Sequence, residues 1–247
     1  MRCRAFLIAS LLAAWTGCGH DPSGRVAFEP MRVIETVQPE YPPEMASRGI
    51  TEGEVWITIA VDPDGRLIDR LLTAYSWASF ARSAIEALHQ WEFKPARLAG
   101  VPVATRQEFH FTFNMTGQIV SRSGPEAVES QMRALQARRE LTVLVAREHE
   151  LDEPLQLDKQ VPVEWPVGAP TNLREARVTV DYFIDGYGRT RLIAVKKTDG
   201  DVFSEAAVIA LMLRRYLAPL RHGEPTLVHR IEEFVFSPPR EHDPNSR

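Results

Sequence analysis

Apolar and polar residues alternate from Glu54 to Asp62, with Val55, Ile57, Ile59 and Val61 on one side and Glu54, Thr58 and Asp62 on the other. A period of two marks a half-buried strand, because successive side chains point to opposite faces of a sheet. Asp62-Pro63-Asp64-Gly65 interrupts the run. Asp-Gly between two apolar stretches predicts a hairpin, since glycine tolerates the positive φ of the turn. A second strand is expected over Arg66–Tyr75. The period then changes: Phe80, Ala84, Leu88 and Trp91 share one face of a helix of about three turns. Trp91-Glu92-Phe93-Lys94-Pro95-Ala96 ends that helix, because Pro95 disfavours helical backbone at Lys94. Gly100-Val101-Pro102 is a loop. Phe109, Phe111 and Phe113, alternating with His110 and Thr112, form a third strand with Phe111 as a core anchor. Strand, strand, helix, strand makes an α+β layer, an antiparallel sheet covered by one helix.

The flanks are less regular. Three prolines in Val37-Gln38-Pro39-Glu40-Tyr41-Pro42-Pro43 force an extended or turning path. Met31–Thr36 is a short strand or turn before it, and Glu44–Gly49 one helical turn after it, stopped by glycine. Beyond Phe113 the chain is polar until Pro125, a residue favoured in the first turn of a helix. Val128, Met132 and Leu135, then Leu141, Leu144 and Val145, predict an amphipathic connector over Glu126–His149. Leu141–Val145 fits a strand equally well.

The second half repeats the first. A shift of 123 carries Val55, Ile57, Ile59 and Val61 onto Val178, Val180, Tyr182 and Ile184. It carries Asp64-Gly65-Arg66 onto Tyr187-Gly188-Arg189, Phe80 onto Phe203, Ala84 onto Ala207 and Leu88 onto Leu211. Phe111 and Phe113 become Phe234 and Phe236. A shift of 124 carries Tyr41-Pro42 onto Trp165-Pro166 and Pro95 onto Pro219. The pattern predicts two tandem copies of one fold. The second has lost the tryptophan, with Arg214-Arg215-Tyr216, and has Glu232 where Phe109 stood.

The 247 residues are 44% hydrophobic and 25% charged, ordinary for one or two globular domains. The net charge is −4, and no basic run favours nucleic acid. Met1-Arg2-Cys3-Arg4 and the apolar Ala5–Trp15 form a secretory leader, too short to span a bilayer. Gly17-Cys18 resembles the end of a bacterial lipobox, although Trp15 and Thr16 are not the usual residues there. Either Cys18 is lipidated, or the leader is simply cleaved and this cysteine is incidental. Cys3 and Cys18 are the only cysteines, so acylation of Cys18 would leave the mature chain without a thiol. By resemblance to such lipoproteins, Gly19 after the cysteine favours an outer-membrane anchor facing the periplasm.

Catalytic and metal chemistry is not indicated. The seven histidines are dispersed, with no His-x-x-x-His pair and no cysteine ligands. No Gly-x-Ser-x-Gly elbow, phosphate loop or dinucleotide fingerprint occurs. Asp62 and Asp64 sit where turn chemistry wants them. His89 and His110 fall on polar sides and are expected at the surface. Trp56 and Trp77 sit on polar-leaning positions, suited either to a ligand or to a second packed face. No cofactor, metal or catalytic residue is expected.

Gln38-Pro39-Glu40-Tyr41-Pro42, Gly53-Glu54-Val55, Val61-Asp62-Pro63-Asp64-Gly65, Trp91–Ala96, Gly100–Val103 and the Phe109/Phe111/Phe113 strand together resemble the C-terminal domain of the TonB family. The resemblance implies binding of an extended segment of an outer-membrane transporter, added as a strand to the sheet edge. It places Gln38, Glu40 and Tyr41 beside that edge, with His110 and Thr112 on the strand itself; alternatively Tyr41 and Pro42 only cap the core. The family's energy transducers carry an uncleaved membrane helix and a long spacer, which the short leader and tether here do not match.

The expected organisation is a leader over 1–18, a tether over 19–30, a TonB C-terminal-like domain over 31–116 and a helical connector over 117–158. A diverged second copy over 159–238 and a disordered tail over 239–247 complete it. The function implied is non-enzymatic protein binding in the envelope. A scaffold or homodimer without peptide ligand, or a component related to energy transduction, are the alternatives.

Overall fold

Residues 28–115, 117–122, 141–170 and 172–239 are described in the computed structural model. The first half contains β1 (Phe28–Glu29), β2 (Arg32–Glu35), α1 (Pro43–Ser47), β3 (Glu52–Val61), β4 (Leu67–Tyr75) and α2 (Ala78–Leu88). It continues with β5 (Glu92–Lys94), β6 (Ala96–Leu98), β7 (Val101–Val103), β8 (Thr105–Asn114) and β9 (Gly117–Arg122).

The β3–β4 hairpin forms because Asp62 Oδ1 accepts the N–H groups of Asp64 at 2.9 Å and Arg66 at 2.8 Å. Gly65 completes it at φ +86°, and a Cβ there would run into the Phe93 carbonyl. The helix α2 buries Phe80, Ala84 and Leu88 against Val55, Ile57, Ile59, Phe109, Phe111 and Phe113.

The helix stops at Leu88, earlier than the spacing of Trp91 suggests. Glu92–Lys94 leaves helical backbone to pair with β2, Val33 opposite Phe93. Trp91 then turns into the core, and its indole N–H donates to the Val37 carbonyl at 2.8 Å.

The connector reading also needs correction. Residues 117–122 are not connector: β9 pairs antiparallel with β8 along its length, giving a five-stranded sheet, β10-β4-β3-β8-β9. The core of the expected connector helix, 123–140, lies outside the described residues. Leu141–His149 is not helical up to residue 147. The run Thr142-Val143-Leu144-Val145 is rich in β-branched residues, and it finds two sheets to extend. There β10 (Thr142–Val143) pairs antiparallel with β4, and β11 (Val145–Ala146) pairs parallel with a strand of the second sheet.

Farther on come β12 (Leu157–Lys159), β13 (Ala176–Ile184), β14 (Thr190–Thr198), α3 (Asp201–Leu213) and β15 (Arg215–Tyr216). β16 (Leu220–Arg221), β17 (Glu224–Pro225) and β18 (Leu227–Phe236) follow. The sheet order is β11-β18-β13-β14, with α3 packed through Phe203, Ala207 and Leu211 on Val178, Val180, Tyr182, Phe234 and Phe236. The β13–β14 turn uses the same device as the first hairpin. Asp185 Oδ1 accepts the N–H groups of Tyr187 and Arg189, and Gly188 lies at φ +75° against the Tyr216 carbonyl.

The two sheets meet through the faces opposite their helices. Leu71 of β4 is buried with Phe183 of β13 and Leu192 of β14. Asp69 of β4 pairs with Arg191 of β14. Among the described residues, no helix is long and apolar enough to cross a membrane.

Candidate protein-binding edge

The residues expected to bind a partner do not form one site. Cys18 lies outside the described residues. Gln38 and Glu40 are exposed, and the Glu40 carbonyl accepts the Ser83 hydroxyl of α2. Tyr41 is half-buried: its ring meets Phe80 edge-on at 5.3 Å, and its hydroxyl donates to the Ile50 carbonyl. These residues belong to the helix side of the sheet.

His110 and Thr112 lie on the other side. His110 is buried, stacked on the Trp56 ring at 4.1 Å and paired with the Glu54 carboxylate; Thr112 donates to Glu54 at 3.3 Å. The expectation of a surface histidine is therefore corrected. Trp56, Ala74 and Leu141 form a second buried cluster on this face, which accounts for Trp56. The expectation of an open edge at β8 is corrected too: β3 pairs with one side of it and β9 with the other.

Among the described residues, β18 presents an open edge. β18 pairs with β13 without a register shift, from Val228 opposite Ile184 to Phe236 opposite Ala176. On its other side β11 covers only Leu227 and Val228. The Leu227 N–H donates outward to the Leu144 carbonyl at 3.0 Å. Antiparallel ladders alternate, so His229, Ile231, Glu233 and Val235 also turn their N–H and C=O groups away from β13. Among the described residues no strand pairs with them. Ile231 and Val235, 60% and 44% exposed, stand along this margin. Sequence reasoning missed both. The signal lay in the shift of 123, which sets them against Glu108 and Thr112.

The inner end of β18 is held by charge. Asp181 Oδ2 takes Arg106 of β8 at 2.7 Å and Lys196 of β14 at 3.3 Å, and Oδ1 takes His229 of β18 at 2.7 Å. Arg106 also donates to the Leu192 carbonyl at 3.1 Å and lies over the Phe183 ring. Burial pushes the Asp181 carboxyl up, but the bonds from His229 and Arg106 outweigh it and hold the group well below the usual carboxylate range. A carboxylate depressed on folding stabilises the fold above its unfolded value and loses that contribution as pH falls through the folded one. Stability will therefore drop as pH falls below about 4, and Asp181→Asn will flatten that drop. Urea midpoints across the acid range measure it.

Residues 37–115 match the family model described as Gram-negative bacterial TonB protein C-terminal. A TonB C-terminal domain lies here. Protein TonB of Vibrio cholerae serotype O1 (strain ATCC 39315 / El Tor Inaba N16961) is similar, 40% identical over 90 residues. That match covers 36% of this chain and 36% of the relative, so the chain spans about a third of the length of the curated relative it matches. No solved structure matches the chain. The TonB C-terminal match ends at residue 115, so β9, which closes the edge of β8, falls beyond it.

Proposed function

We propose that this chain is a non-enzymatic envelope protein that binds an extended protein segment by strand addition, using two TonB C-terminal-like units. The observation that carries this reading is the backbone of His229–Val235, which no strand pairs among the described residues and which is joined through one buried interface to a TonB C-terminal domain. Such an edge offers a row of unpaired N–H and C=O groups to a partner chain. The second unit is read as a diverged copy because strand order, helix and hairpin devices recur at a constant offset, down to Gly65 on Phe93 and Gly188 on Tyr216. By analogy with the family, the partner is a segment of an outer-membrane transporter. Lipidation at Cys18 would hold the protein at the outer membrane, facing the periplasm. Gln38, Glu40 and Tyr41 remain candidates for contacts beside the first unit.

Ile231→Pro tests this. Proline there removes an N–H directed outward and spares the donors facing β13. Capture of envelope proteins by the full chain will be lost in Ile231→Pro and kept in Ile231→Thr. Equal capture by both would rule out pairing at this edge. The pairing of β9 with β8 favours a second reading for the first unit, a closed scaffold without peptide ligand.

A further inference from the structure

The two covering helices differ in what they show to solvent. In the first unit the exposed positions on and just after α2 include Arg82, Glu86, His89, Gln90 and Lys94. At the shift of 123 the same positions hold Glu205, Ile209, Met212, Leu213 and Leu217. Four polar or charged places have become apolar, and all remain exposed: Ile209 is 49%, Met212 60% and Leu213 52% accessible. They follow one another at i, i+3 and i+4 and form one stripe on the side of α3 away from the sheet.

We propose that this stripe is a dimer interface, on which α3 of a second copy of this chain packs antiparallel about a two-fold axis. The charges at its two ends specify the occupant. Asp201 and Glu205 lie toward the N-terminal end of the stripe; Arg215 lies beyond its C-terminal end, propped by its bonds to the Met212 and Arg214 carbonyls. A patch acidic at one end and basic at the other is complementary to itself when one copy is turned end for end. Ile209 then meets Met212 of the other copy, and Glu205 comes within reach of its Arg215. A lipid surface would instead call for a basic rim around the stripe. The exposed stripe is on the order of 400–600 Å², the upper end for a monomer. Two of them facing each other would bury roughly 1,000 Å² in all, the threshold for a specific contact.

Sedimentation velocity of the full chain at micromolar concentration tests this. The wild-type chain will sediment as a dimer. Ile209→Glu and Met212→His are substitutions toward residue types the first unit tolerates at these places. Each will raise the dissociation constant at least tenfold while leaving a folded monomer, read as an unchanged far-ultraviolet circular dichroism spectrum; the thermal midpoint of the wild-type chain, but not of the variants, will rise with protein concentration. Glu205→Arg and Arg215→Glu will each weaken the dimer, and the double variant will restore it. A monomeric wild-type chain would overturn the proposal, whether or not it binds vesicles of phosphatidylglycerol and phosphatidylethanolamine. So would a dimer indifferent to Ile209→Glu, or a double variant no better than the singles.

Discussion

Replacing Glu232 with alanine will cost the second unit about 3–5 kcal/mol, the cost of leaving a buried charge without its partner. The first unit shows why. There Trp91 meets Phe109 edge-on at 5.3 Å, an aromatic pair sealing the end of the core. At the shift of 123 these two places hold Arg214 and Glu232. Where the first unit has an aromatic contact, the second has an ion pair in which Arg214 Nη1 lies 3.0 Å from each carboxylate oxygen. Tyr182, in the place of Ile59, donates to Glu232 at 2.7 Å, and its hydroxyl lies 2.8 Å from that of Tyr216, in the place of Phe93. The substitutions make sense together and would not singly. Burial, and then the bond to Glu232, raise the Tyr182 phenol far above its usual range, so it stays a donor. Burial works against the Arg214 charge, but the bonds to Tyr216 and Glu232 outweigh it and hold the charge in place. Without the carboxylate, the buried Arg214 charge is left with the Tyr216 hydroxyl at 3.4 Å and the face of Phe234. Amide exchange in β13 and β18 will accelerate, while β3 and β8 keep their protection. The double variant Arg214→Trp with Glu232→Phe, which rebuilds the pair of the first unit, will lose much less, because apolar replacement of a buried ion pair is often neutral. A loss below about 1 kcal/mol for Glu232→Ala would show that water screens the pair.

That exchange was half legible in the sequence. The loss of the tryptophan and the arrival of Glu232 could be read; their contact could not, because Arg214 ends a helix and Glu232 lies in the middle of a strand eighteen residues on. The same boundary runs through the rest of the fold. Both hairpins were readable because an Asp side chain and a Gly act within a few residues of each other. The phenylalanine strand was readable from its period. Each miss depended on a distant partner. Glu92–Lys94 leaves the helix because β2 is there to pair with it. His110 is on a polar face by pattern, yet Trp56 and Leu141 close over that face. Gly117–Arg122 carries no strong strand signal, and only β8 beside it makes it a strand. An edge is a property of strand order, which alternation along one strand does not encode. The binding strand is therefore expected at Thr112, whereas among the described residues β18 lies open.

Phe111→Ala will cost about 3–5 kcal/mol, and so will Phe234→Ala, since each deletes a buried aromatic ring. Phe111 has no solvent exposure, faces the helix and lies with its ring 5.6 Å from that of Trp91. Phe234 holds the equivalent place but lies under the Arg214 guanidinium, 5.0 Å from the ring centre. The cavity left at residue 234 opens beside a charge that can recruit water, so its loss will fall toward the lower end of the range. Their neighbours separate the two strands more sharply. Glu233→Ala on β18 will change stability by less than about 1 kcal/mol, because its pair with Arg177 is exposed. His110→Ala on β8 will cost more, because its ring is closed in by Trp56 and Glu54. Urea denaturation of the four variants decides the matter. Equal losses at His110 and Glu233 would mean that β18 is covered on both faces, as β8 is. A loss under about 1 kcal/mol at Phe111 would mean that the side chains of β8 are displaced by one residue from the pairing with β3.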